Sequence, residues 1–247
     1  MNGTLGTWLG RPVLWLPAGA AAAAALPFGL GGGGWLTPLA AGSLAFAYLR
    51  GHHRDPRGRV IAHLLAWAVT LSAVLIALTI RDPAAAGRLI PHGEAYWAEM
   101  APYVATGMGK EALPELFVPE HVLHLLGFVV LALATAGLGA LILGAYLTGY
   151  MSFYVGQLAV HASHPWLAAT LGWHPWAVLR VVAFVMLGVS LARVLLERPR
   201  PLAWWNGERR LLLAAAGLWL FDLLLKTLLA PGWARVLREV AGVSLEG

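Results

Sequence analysis

"HVLHLLGFVVLALATAGLGALILGAYLTGYMSFYVGQLAVHAS", residues 121–163, is 43 residues long and holds no Asp, Glu, Lys or Arg. One membrane crossing takes about 20 residues, so the run is too long for a single upright helix. Either it crosses twice, turning near Gly137 to Gly144, or it is one long tilted helix. The first choice gives about seven spans for the chain and the second gives six.

Charge on either side decides between them. The segment 50–59 carries Arg50, Arg54, Arg57 and Arg59 against Asp55, and 193–210 carries Arg193, Arg198, Arg200, Arg209 and Arg210 against two glutamates. Short arginine-rich loops stay on the cytoplasmic side. The segment 81–120 has six acids against Arg81, Arg88 and Lys110, and reads as outer. From there to 193–210 the chain must cross an odd number of times. One crossing in 176–196 then leaves two for 121–163. The remaining apolar runs are 12–29, 35–49, 60–80 and 210–230.

Composition agrees. The chain is 59% hydrophobic and 12% charged, with a mean hydropathy of +0.70; soluble domains carry about 25% charge. The expected fold is all-α, a polytopic transmembrane helical bundle forming a single integral membrane domain over 1–247. Its segment 81–120 is an extracytoplasmic lid, and its setting is the cytoplasmic (inner) membrane of a prokaryote. The N-terminus lies inside and the C-terminus outside. The alanine-rich run after Arg11 is broken by Pro17 and Pro27, and reads as a first span rather than a cleaved signal. Most tryptophans, Trp8 among them, fall near span ends, where indoles favour the headgroup boundary; Trp67 and Trp219 lie well inside. The absence of cysteine excludes disulfides, thiolate metal sites and cysteine nucleophiles. The net charge of +5 sits in short loops and reports orientation rather than nucleic-acid binding. The expected partners are the lipid bilayer and other membrane or extracytoplasmic subunits.

Polar residues inside such a chain are the candidates for function. His121 and His124, next to Glu120, share one helix face at the outer start of a span. His161 and His164 do so at the outer end of the next. Two such pairs on adjoining helices would offer four imidazoles and a carboxylate to haem b or a transition-metal ion. The plainer reading makes them interfacial histidines that cap helix ends. Tyr146, Tyr150, Tyr154, Gln157, His161 and His164 follow at helical steps and make one seam. That seam must face protein or water, because an unpartnered amide in hydrocarbon is costly. It either packs neighbouring helices or lines a cavity for a quinone headgroup, protons or a polar substrate. Asp222 and Lys226, four apart, are placed to pair within the last span, while Arg180 and Arg193 lie near span ends and can snorkel. The two His-Pro-Trp steps, at 164–166 and 174–176, hold His164 and His174 out of helices. His92 and Glu94 are further ligands the lid can offer.

No HExxH, GxSxG, Walker or HxxHH motif occurs. The leading expectation is a membrane subunit that binds haem or metal through its outer histidines, for quinone-linked electron transfer within a larger complex. The alternatives are a transporter or metal-handling protein using the tyrosine seam with Asp222 and Lys226, and a scaffold subunit without cofactor. Whether the chain is an enzyme is left open by its residues.

Overall fold

The computed structural model describes residues 12–245; Trp8 and Arg11 lie outside the described residues. Among these there are ten helices and no strand. In order they are α1 Pro12–Gly29, α2 Leu36–His52, α3 Arg57–Arg81, α4 Pro83–Leu89, α5 Gly93–Thr106, α6 Pro114–Ala134, α7 Leu138–Val160, α8 Pro165–Gly172, α9 Pro175–Glu197 and α10 Pro201–Glu239. Six of them, α1, α3, α6, α7, α9 and α10, are long and apolar enough to cross a membrane. α2, at 17 residues, is the shortest helix of an apolar run.

Proline sets many of the starts. α4, α6, α8, α9 and α10 each carry Pro in the first turn, where its missing N–H has no helical partner to lose. The residue before it is held extended. Thus His164 and His174 become N-cap residues outside the helices, and the intervening residues form the short α8.

The 43-residue run is two helices. The reversal takes Thr135, Ala136 and Gly137, slightly earlier than the glycine cluster suggested; Gly144 lies inside α7. The Thr135 hydroxyl donates to the Leu131 carbonyl at 2.6 Å and accepts from the Gly139 amide at 2.7 Å. Gly137 follows at φ +97°, a conformation that favours glycine. The turn rests on α9, since a Cβ at Gly137 would stand 2.9 Å from that of Ala192.

α7 is the central helix and contributes to all three groups of buried apolar side chains. Where α2 crosses it, Gly42 lies against the backbone of Ile142. One end of the bundle gathers both arginine-rich segments on one acid. Glu208 of α10, 2% exposed, accepts from Arg57 at 2.6 Å, Arg193 at 2.5 Å and Ser190 at 3.0 Å. At the other end, the segment after α10 folds back on the α7–α8 link: the Ser163 amide donates to Gly242 and the Ser244 amide to His161. A helix of 39 residues is about 58 Å long, so α10 is long enough to join the two ends across a core of about 30 Å.

The tyrosine seam of α7 faces protein. Tyr146 stacks on Trp35 at 5.1 Å, and α5 lies over the rest, with Tyr96 4.6 Å from Tyr150 and Trp97 stacked 5.4 Å from His161. Gln157 is buried. The expected lid is therefore partly packed into the bundle: Tyr103 of α5 is fully buried and donates to the Ala230 carbonyl at 2.8 Å.

Candidate functional site

A cavity of about 110 Å³ lies between α3, α7 and α9 and is closed at one side by α5 and α6. Its wall is mainly apolar, with Phe128 and Phe184 stacked at 4.7 Å. Besides the indoles of Trp67 and Trp173, five polar side chains line it: Tyr96 of α5, His124 of α6, Thr148 and Tyr150 of α7 and Arg180 of α9.

Arg180 sits five residues into α9, inside an otherwise apolar helix. Its Nε and Nη2 donate to the two carboxylate oxygens of Asp222 at 2.8 and 2.9 Å. Asp222 is fully buried, while a fifth of the Arg180 side chain stays accessible. This two-bond fork is the arrangement that best offsets the cost of burying both charges. It leaves Nη1 without a hydrogen bond among the described residues, as are the His124 ring and the Tyr150 hydroxyl. Trp67 is 2% exposed, and its buried Nε1–H has no partner. A buried donor left unpaired costs about 1–3 kcal/mol.

Behind Arg180 lies a second charged cluster. Glu111, in the loop after α5, is buried. It accepts from Lys226 of α10 at 2.7 Å and from the Trp176 indole at 2.9 Å, and His174 Nδ1 stands 3.5 Å away. Burial alone would raise the Glu111 pKa; the Lys226 ammonium and then His174 overcome it and hold the carboxyl well below its usual range. His174 shares a hydrogen bond with Tyr154 at 3.2 Å, and Lys226 Nζ lies 3.4 Å from His121 Nε2. The two clusters together balance two cations against two carboxylates.

Two expectations are corrected here. Asp222 and Lys226 do not pair with each other: Asp222 takes Arg180 and Lys226 takes Glu111. The i, i+4 spacing allowed the pair, but each group meets a better-placed partner from another element. Arg180 does not snorkel either, because a buried carboxylate faces it across the α9–α10 contact.

The histidines divide among separate surroundings. His121 is buried beside Lys226 and Phe117, and His124 lines the cavity. His161 has its Nδ1 2.8 Å from the Gln157 carbonyl, and His164 is the exposed N-cap of α8. Glu120 is held by Lys110 at 2.7 Å. Among the described residues no three His, Asp or Glu side chains form a group able to hold a metal ion. Of the candidates read from sequence, the structure brings His124 and Tyr150 to the cavity, and Asp222 behind it. Tyr154, Lys226 and His121 belong to the second cluster.

Arg180, Glu111, Trp67 and His174 were not among those candidates. An arginine in the second turn of an apolar span, with no acid near it in sequence, was a usable signal for the first. Trp67, deep in a span, was a weaker one. Glu111 lies in a loop with no motif around it.

No protein-family model, curated protein or solved structure matches the chain. Fold and site define a class nonetheless: an all-helical protein with membrane-type helices and a small aromatic cavity edged by a buried arginine–aspartate pair.

Proposed function

We propose that this chain is an integral membrane protein that binds a lipid-soluble molecule of the quinone class: a flat, neutral ring with carbonyl oxygens and a hydrocarbon tail. The observation that carries this reading is Arg180. Asp222 fixes its guanidinium and cancels its charge, and the side chain, its Nη1 without a hydrogen bond among the described residues, lines an apolar cavity. His124, Thr148 and Tyr150 on the same wall supply further polar groups. Such donors suit a ring with acceptor oxygens. A phosphate or carboxylate head would demand net positive charge, which the two carboxylates have already neutralised. The volume, about 110 Å³, limits the enclosed part of the ligand to no more than a single ring, since benzene is taken up by a cavity of about 150 Å³.

The reading keeps quinone-linked electron transfer within a larger complex as the physiological setting. Haem or metal held by the outer histidines has less support, because His121 and His161 are engaged in different places and Glu120 already has a cation. A pure scaffold leaves the aligned Arg180 on a cavity wall without a purpose.

We place the chain in the cytoplasmic membrane of a prokaryote with seven crossings, α2 being the additional one. The turn at 135–137 and the arginine segments lie inside, and the loop at 107–113 lies outside. The gathering of Arg57 and Arg193 on Glu208 supports one side for both segments.

Quenching of tryptophan fluorescence by a short-tailed benzoquinone, titrated into the detergent-solubilised protein, tests the binding. Saturable quenching by the quinone, weakened at least tenfold in Arg180→Lys, is expected. A fatty acid and a phospholipid should not compete. Competition by either would replace the quinone class with an ordinary lipid.

A further inference from the structure

A second, larger groove of about 410 Å³ adjoins the first cavity. It runs between α3 and α9, with Thr148 of α7 at its floor. Its lining is apolar save for Ser72, Thr148 and the indole of Trp173. Val69, 69% exposed, and Val178, 46% exposed, form part of that lining, so the groove opens on the outer surface of the bundle. Both helices are of membrane-crossing length and hydropathy there, so the surface it opens on is the one acyl chains cover.

The two spaces are continuous in their walls. Ala68, Thr148, Trp173 and Val181 line both. The neck they make is held in place by hydrogen bonds. The Trp173 indole donates to the Ser72 hydroxyl at 3.0 Å, and the Ser152 hydroxyl lies 2.9 Å from the same oxygen. Ser72 and Ser152 are both buried. Trp173 stands in the two-residue link between α8 and α9, where proline at 175 keeps the backbone out of a helix.

We infer that this groove is the tail-binding half of the same site: the ring of the ligand lies in the inner cavity beside Arg180, and its hydrocarbon tail passes the neck at Trp173 and lies between α3 and α9. The inference rests on the quinone-class reading of the inner cavity. The inner cavity alone has room for little more than a ring, so a tail must leave it. Of the routes out, the groove offers an apolar wall, a volume within the 300–1,000 Å³ usual for ligand sites, and a mouth on the bilayer side. A tail there stays in a hydrocarbon environment throughout.

The test compares two ligands of one ring, a benzoquinone with a ten-carbon tail and the same ring with a methyl group, on the full chain in detergent. In the wild type the tailed compound should bind at least tenfold more tightly. Ala73→Phe fills the groove from an exposed position that also lines it, so folding should be undisturbed. It should bring the tailed compound down to the level of the tailless one and leave the tailless one within about twofold. Val69→Phe, also exposed, is the second variant and should act in the same direction.

A tailed compound that binds both variants as well as the wild type would show that the tail lies elsewhere and overturn the inference. Equal weakening of both compounds would overturn it too, since the groove would then matter only to the shape of the inner cavity. If neither compound binds the wild type, the quinone-class reading itself fails, an outcome distinct from either of these.

Discussion

At the residue scale, the site rests on four charges arranged as two pairs from different elements, Arg180 with Asp222 and Lys226 with Glu111. Removing one partner leaves the other uncompensated, which costs about 3–5 kcal/mol, whereas replacing both with apolar groups is often neutral. Asp222→Asn should therefore lower folded yield and unfolding temperature in detergent far more than the double variant Arg180→Met/Asp222→Leu. The same non-additivity should appear for Glu111→Gln and Lys226→Met. Combining Asp222→Asn with Lys226→Met should show the smaller coupling, because these two groups hold different partners. Glu111 also makes stability depend on pH. Its folded pKa lies well below the ordinary 4.5, so its contribution is complete above about 4.5. It is lost as pH falls through the lower, folded value. The stability gap between wild type and Glu111→Gln should thus stay constant from neutral pH down to about 4.5 and narrow below it, as followed by thermal unfolding. These partnerships were only half legible beforehand. Asp222 and Lys226 stood out as charges in an apolar run, but spacing reports neighbours on one helix alone. Arg180 and Glu111 come from elsewhere in the chain, and only tertiary packing brings them in.

At the element scale, the α6–α7 reversal decides where everything after it lies. It was readable because two independent constraints met: a run twice the length of a span, and arginines that require an odd number of crossings. The exact turn was not readable, since no charge marks it and several glycines compete. Gly137 is the one the turn uses, at φ +97° and against Ala192. An alanine there meets a left-handed backbone penalty of about 1–2 kcal/mol and a Cβ contact that is too close. Gly137→Ala should cost at least that much in chemical unfolding, while Gly144→Ala, within α7 and with nothing near its Cβ, should be neutral or slightly stabilising. The extent of α10 was hidden for a different reason. Glu208, Arg209 and Arg210 lower the local hydropathy, so the apolar run begins later than the helix does. Glu208 is ion-paired at the bundle end and Arg209 and Arg210 are exposed, neither of which a hydropathy window registers. Likewise the helices within 81–120 are too short and too mixed in composition to show as periodic segments, though their aromatic residues complete the core.

At the scale of the whole molecule, the absence of native cysteine allows the proposed seven crossings to be mapped directly. Single cysteines at 136 and 205 should be labelled from the same side of oriented vesicles, and those at 109 and 167 from the other. Labelling of 136 and 205 from opposite sides would undo the crossing count. The seam on α7, legible as a stripe, turns out to serve two ends: Tyr146, Tyr154 and Gln157 pack against protein, and Tyr150 reaches the cavity. Its meaning depended on what covers it, and that cover, α5, is separated from it by more than 30 residues of sequence. The most direct test of a quinone-class site is native mass spectrometry of the protein released from nanodiscs containing phospholipid and one isoprenoid quinone. The account predicts a one-to-one adduct of the quinone's mass on the wild type, lost in the folded Arg180→Met/Asp222→Leu variant. A wild-type protein that carries phospholipid alone, or a variant that keeps the quinone, would contradict it.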